Sequence, residues 1–156
     1  NKVASTLDSD CLLKFVKTTL YNNSWNISDK LEYGENFCIE IKVKFNLNID
    51  NINIGFLILD QYGQSMTGGS YFNSHKKTLD AVALKEYTFL FTGKMLLRGG
   101  QSYAVHIAIN KVSSWDRSDL LSLHVDDRAK VFDVMIDPQN PIWFGFGMPI
   151  EVVLSS

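Results

Sequence analysis

Trp115, Asp116 and Arg117 stand side by side in the chain, an aromatic plane next to a carboxylate and a guanidinium. Together they offer stacking, hydrogen-bond acceptance and a five-donor cation, which suits holding a ligand better than breaking a bond. They fall in the longest polar, irregular stretch, 111–128, KVSSWDRSDLLSLHVDDR, and binding residues concentrate on loops carried by rigid scaffolds. A plainer reading has Trp115 closing the end of the fold and Arg117 paired with a neighbouring Asp. His106 lies between Ala104 and Ala108, where small neighbours would leave a shallow groove beside one donor and one acceptor; an ordinary exposed strand histidine fits the same pattern. His124 joins it if the 111–128 stretch folds over that face. Tyr71, Asn73, His75 and Lys76 form a second cluster after Gly68-Gly69, with a solvated lysine turn as the alternative. Trp25, in the Asn-rich loop NNSWN, has no role assigned by its spacing.

Several chemistries find no support in these residues. The chain lacks a G-x-x-x-x-G-K-[ST] loop, a G-x-S-x-G elbow and an H-E-x-x-H pair, so nucleotide, serine-hydrolase and zinc-protease sites are not indicated. His106 and His124 are 18 residues apart, a separation that matches no metal-ligand spacing, and His75 is remote from both. No metal or cofactor is expected. Asp116, Asp119, Asp126 and Asp127 would be available to a glycan hydrolase, which needs two carboxylates facing one bond, but spacing alone does not bring a pair together. With 15 basic against 17 acidic residues and a formal net charge of -2, no global field attracts nucleic acid or an anionic membrane. The two cysteines, Cys11 and Cys38, make no C-x-x-C pair and read as free thiols of a reducing compartment.

The elements that must position these groups are strands. From Phe37 the row Phe37, Ile39, Ile41, Val43, Phe45 alternates with Cys38, Glu40, Lys42, Lys44, Asn46, the period-two pattern of a half-buried strand. IGFLILD, 54–60, is apolar on both faces, as a central or doubly covered strand would be. Asp60-Gln61-Tyr62-Gly63 then closes a hairpin, and Gly68-Gly69 marks a bulge or a close approach in the returning strand. Tyr87, Phe89 and Phe91 alternate with Glu86, Thr88, Leu90 and Thr92. Further on, Tyr103, Val105, Ile107 and Ile109 turn inward while Ala104, His106, Ala108 and Asn110 turn outward. A first strand at 11–20, a strand at KVFDVMI, 130–136, and one or two closing strands in PIWFGFGMPIEVVL are expected, with a short helical turn near Asp119–His124 capped by Ser118. About eight strands without a long helix make an all-β, antiparallel two-sheet sandwich. At 156 residues and 46% hydrophobic content, a single domain spanning 1–156 buries enough surface to stand without disulfides.

In order, YGENFCIEIKVKF, INIGFLILDQYGQSM, the strand after RGGQSY, and DDRAKVFDVMI resemble the C-terminal domain of Wzt, the nucleotide-binding subunit of ABC transporters that export O-antigen polysaccharides. Gly34-Glu35 opening a strand, Gly55 with Asp60 and Gly63 framing the hairpin, Gly100 before a long strand, and Phe132 with Val134 carry the likeness, over roughly residues 10 to 136. The resemblance implies an immunoglobulin-like or jelly-roll sandwich that binds the modified, capped non-reducing end of a glycan in the cytoplasm, at the inner face of the inner membrane of a Gram-negative bacterium. It implies a non-catalytic module, excised from a larger protein whose ATPase domain is absent and which meets the transporter's membrane subunit. It further implies a homodimer in which 138–156 supplies an exchanged strand, with Trp143, Phe144 and Phe146 in core or dimer contact. On this reading Trp115, Arg117, His106, His124, Tyr71, His75 and Lys76 become glycan-binding candidates, with Arg117, Lys76 or Arg98 available to an anionic cap.

Overall fold

A computed structural model of the protein describes residues 12–112 and 120–155. Among the described residues nine strands form two sheets. The smaller is antiparallel, ordered β1 (Leu13–Tyr21), β3 (Asn36–Phe45), β7 (Glu86–Lys94). The larger runs β2 (Lys30–Glu32), β9 (Leu121–Met135), β8 (Gln101–Lys111), β4 (Ile49–Leu59), β5 (Ser65–Ser70), with β6 (Leu79–Ala81) also paired to β4. Its ladders are antiparallel except β2 with β9, which is parallel. The all-β, two-sheet architecture is the one the alternation predicts.

The core lies between the sheets. Ile39, Ile41, Val43 and Phe45 of β3 meet Ile52, Ile54 and Ile58 of β4 and Tyr103, Val105, Ile107 and Ile109 of β8 in one buried cluster. Each of these rows is every second residue of its strand, so one face is withdrawn from water at about 25 cal/mol per Å² of apolar surface. Tyr103 brings a hydroxyl into this core and satisfies it by donating to the Arg98 carbonyl at 2.7 Å. Burial pushes its phenol up, with Arg98 opposing and Asp60 adding to the rise.

The hairpin between β4 and β5 follows its residue types. Asp60 Oδ1 accepts from the N–H groups of Tyr62 (2.9 Å) and Gln64 (2.8 Å), and Gly63 takes φ +80, a conformation costly for residues with a Cβ. The ladder shifts between Ile58 and Leu59 as the turn closes. Gly68 is a close approach: a Cβ there would collide with the Phe56 carbonyl oxygen and lie 2.8 Å from Leu57 Cδ2.

Three expectations are corrected. The helical turn near Asp119–His124 does not occur in its described part, because Leu121–His124 already belong to β9 and pair with β8; the pull of an available strand overrides a weak helical spacing. Ser118 lies outside the described residues. The segment after Ser70 begins with a one-turn helix, α1 (Tyr71–His75), whose N-cap Ser70 accepts from Asn73 N–H. The closing strands are absent from 138–155: only the isolated bridge Leu97↔Phe146 ties this stretch to a neighbour by pairing. Trp143, Phe144 and Phe146 are exposed rather than in the core.

Gly68→Ala is expected to lower stability by about 1–3 kcal/mol through overpacking. Gly93→Ala, whose Cβ would sit an ordinary 3.5 Å from Phe37, should stay within about 0.5 kcal/mol. Urea unfolding of the two variants beside the parent chain checks the contrast.

Candidate functional site

The face of β4 and β8 turned away from the core carries a groove. Register sets Asn53 opposite Asn110, Gly55 opposite Ala108, and Leu57 opposite His106. On the other side of β4, Gly55 meets Ser70 and Leu57 meets Gly68 of β5. Directly opposed residues of an antiparallel pair share a face, so this row carries the small residues Gly55, Gly68 and Ala108 between polar Asn53, Asn110 and His106 and the exposed apolar Leu57. The outcome is a groove of about 460 Å³. Its floor includes Gly55, Gly68 and Ala108, and Asn53, Asn73, Asn110, Ser65, Thr67 and His106 contribute polar groups, with Phe56 and Met66 among the apolar ones.

The polar groups are held by the fold. Asn53 is only 2% exposed, and its Oδ1 accepts from Phe72 N–H at 2.9 Å, pinning α1 to β4. Ser70 Oγ accepts from Asn73 N–H at 3.1 Å and donates to Asn73 Oδ1 at 2.7 Å, so the cap of α1 also fixes the Asn73 amide at the groove. His106 is half-buried, and its Nδ1 lies 3.1 Å from Asp127 Oδ1 of β9. This contact orients the ring, while Asp127 itself remains largely in water. No buried side-chain nitrogen or oxygen among the described residues lacks a partner.

The candidates from the sequence divide. His106 lies in the groove, on the outward row expected for it. Ala104 and Asn110 of that row are buried rather than exposed. His124 is not among the groove-lining residues; it pairs with Ile109 beside a register shift of the ladder. Tyr71 and His75 stack on each other within α1, rings 4.4 Å apart and 16° from parallel, and Tyr71 also meets Phe89 edge-on at 5.6 Å, so Tyr71 is largely committed to packing. Lys76 caps α1 in the left-handed region, φ 58, and is exposed. Of that second cluster, Asn73 reaches the groove. Trp115, Arg117 and Cys11 lie outside the described residues, while Cys38 is a buried thiol whose pKa is raised above its ordinary 9.0 by burial and then by Glu40.

Sequence reasoning missed Asn53, Asn110, Ser70 and the glycine floor. Asn53 and Asn110 interrupt otherwise apolar strands, and buried amides in such places are held by partners. That signal was available, but their being neighbours depends on a pairing between residues far apart in the chain. Among the described residues no group of three or more His, Cys, Asp or Glu side chains is placed to hold a metal ion. None of the described groove-lining residues is a carboxylate.

A family model described as the Wzt C-terminal domain matches residues 12–147. The chain belongs to this family. A crystal structure of the C-terminal domain of Wzt superposes with a TM-score of 0.77 at 16% identity, over 90% of this chain and 84% of that one, and so shares the Wzt-domain fold. A CARDB domain from Pyrococcus furiosus reaches a TM-score of 0.42 at 8% identity, over 81% of this chain and 97% of that one, too remote for any conclusion. No curated protein is significantly similar in sequence. No described helix of this Wzt-family domain is long and apolar enough to cross a membrane.

Proposed function

We propose that the domain is the non-catalytic carbohydrate-binding module of an O-antigen polysaccharide ABC transporter, and that the groove on β4, β5 and β8 receives the capped non-reducing end of the glycan. The observation that carries this reading is the groove's composition: planar amides, hydroxyls and one oriented imidazole around the small residues Gly55, Gly68 and Ala108, with Leu57, Phe56 and Met66 as apolar flanks. A sugar presents hydroxyls in the ring plane and apolar C–H faces, so fixed donors and acceptors beside small apolar surface match it. With Nδ1 held by Asp127, His106 offers Nε2 to a ligand hydroxyl. A glycan hydrolase would need two carboxylates flanking the scissile bond, and the described groove lining supplies none.

The chain that joins β8 to β9 leaves the sheet just beyond groove-lining Asn110. Trp115 is five residues further on, within about 17 Å of reach for an extended chain. In this proposal Trp115 stacks on a sugar and Arg117 holds an anionic cap. Lys76, on the α1 turn that also carries Asn73, is a further cation for such a cap.

The final residues support a homodimer. Ile150, Val152, Val153 and Leu154 are each more than four-fifths exposed on a stretch with no strand partner. An apolar extended segment seeks a sheet edge, and a second copy exchanging this segment would cover it. The same feature is what favours the alternative reading, a β-sandwich that pairs with another protein. In the transporter reading the domain works in the cytoplasm at the inner membrane of a Gram-negative bacterium and meets the membrane subunit through its parent protein, with no role for nucleic acid.

Calorimetric titration with the capped O-polysaccharide, beside the same polymer stripped of its cap, tests the function. Binding of the capped form alone is expected, and His106→Ala should weaken it about 10-fold. Equal binding of both polymers would contradict end recognition, and silence with both would favour the protein-pairing alternative. For the dimer, sedimentation should show dimers of the full chain and monomers after removal of residues 148–156; a truncated chain that still dimerises would rule out strand exchange.

A further inference from the structure

A second groove lies on the outer face of the small sheet, on the opposite side of the sandwich from the first. It measures about 390 Å³, and its lining includes Asn23, Trp25, Asn36, Cys38, Thr92 and Lys94. Register explains the grouping. Cys38 pairs with Tyr21 on one side and Thr92 on the other, and Asn36 pairs with Lys94, so these positions share the face turned away from the Ile39 and Ile41 core row.

Trp25 is presented to this groove by a loop built to hold it outward. Within residues 22–26, Asn22 N–H donates to the Asn26 carbonyl at 2.9 Å and Trp25 N–H to the Asn22 carbonyl at 3.0 Å. Asn22 Oδ1 accepts from Ser24 N–H (3.0 Å) and Asn26 N–H (3.1 Å), and an isolated bridge between Tyr21 and Ile27 closes the loop's base. Trp25 takes φ 60, a region few non-glycine residues occupy and one that a bulky residue enters only when its surroundings enforce it. The indole meets Tyr21 at 5.8 Å and 53°, yet it remains 61% exposed. A tryptophan serving only to pack would be expected to bury more of its large apolar surface. Here backbone strain and four hydrogen bonds instead keep it at the rim of a polar groove.

We propose that Trp25 is the stacking platform of a second saccharide subsite, which takes a neutral pyranose unit of a polysaccharide. The proposal rests on the glycan-binding reading above and adds a contact that is independent of the cap. A pyranose lays a C–H face on an aromatic ring and spends its equatorial hydroxyls on groups beside it, and Asn23, Asn36 and Thr92 supply amides and a hydroxyl around the indole. No carboxylate is among the described groove-lining residues to repel or to hydrolyse the ligand, and Lys94 adds donors. Thus the end of a glycan is recognised on one sheet, and a unit that recurs along the chain on the other.

The test is nitrogen-15 NMR, in which the three tryptophan indole N–H signals are assigned by Trp→Phe substitution. Probes are the cap-stripped O-polysaccharide and the methyl glycosides of glucose, galactose, mannose and rhamnose. The Trp25 indole signal should shift saturably with at least one of them, with a monosaccharide Kd of about 1–10 mM. Trp25→Ala should weaken binding at this site at least about 10-fold. Thr92→Glu, an exposed β7 position away from the loop, should do the same, so a folding defect of the loop variant leaves the idea testable. The Gly68 and His106 amides report the first groove separately. Shifts confined to Gly68 and His106 would overturn this inference while leaving the first groove standing. Shifts at Trp25 alone would support it and count against the first groove, and no shift at either place would overturn both.

Discussion

The pairing of β4 with β8 governs the rest of the molecule. Two strands eleven residues long each commit one row, Ile52, Ile54, Ile58 and Val105, Ile107, Ile109, to the core. The opposite row of the same strands is then fixed in position outside that core. A one-residue slip would exchange the two rows and place His106, Asn110 and Asn53 in the core. Because that exchange would bury an imidazole and two amides away from their partners, the hydrophobic pattern that stabilises the sandwich also dictates which side chains line the groove. Scaffold and site are therefore two faces of one ladder.

What lies around the ladder refines the site. Gly55 and Gly68 let β4 and β5 approach closely, and the same missing side chains leave the groove open. Asn53 links the groove to α1 through the Phe72 amide, and Asp127 reaches from β9 to His106. Polar groups held by several elements lose little freedom when a ligand arrives, which is how a shallow site gains affinity from few contacts. The outer face of the small sheet uses a different device, a five-residue loop whose internal hydrogen bonds hold one aromatic ring in water.

Much of the fold was legible because strand periodicity is local. The Phe37–Phe45 row, the inward row Tyr103–Ile109 and the Asp60–Gly63 turn each depend on a few neighbouring residues, and each stands where the pattern put it. His106 was legible for the same reason, as an outward residue between two alanines. The pairing of Asn53 with Asn110, and the meeting of Gly68 with Leu57, join separate strands; Gly68-Gly69 announced a close approach and the two Asn an interruption, but neither segment alone names its partner. Leu121–His124 misled because its apolar spacing fits a helical turn as well as a strand, and the neighbouring β8 decided between them. The apolar tail shows the limit of residue type in the opposite sense: Ile150, Val152, Val153 and Leu154 have strand-forming residue types, but within one chain they form no strand. Tyr71 and His75 were singled out by composition, and the stacking of one ring on the other is a contact that composition does not announce.

The central claim is that the groove of β4, β5 and β8 holds the end of a glycan, and a crystal structure with an oligosaccharide carrying the authentic capped end tests it most directly. The account predicts sugar density in that groove, with a hydroxyl within hydrogen-bond distance of His106 and another at the Asn53, Asn73 and Asn110 amides. Density for the capped end elsewhere on the protein, with this groove filled only by water, would contradict it.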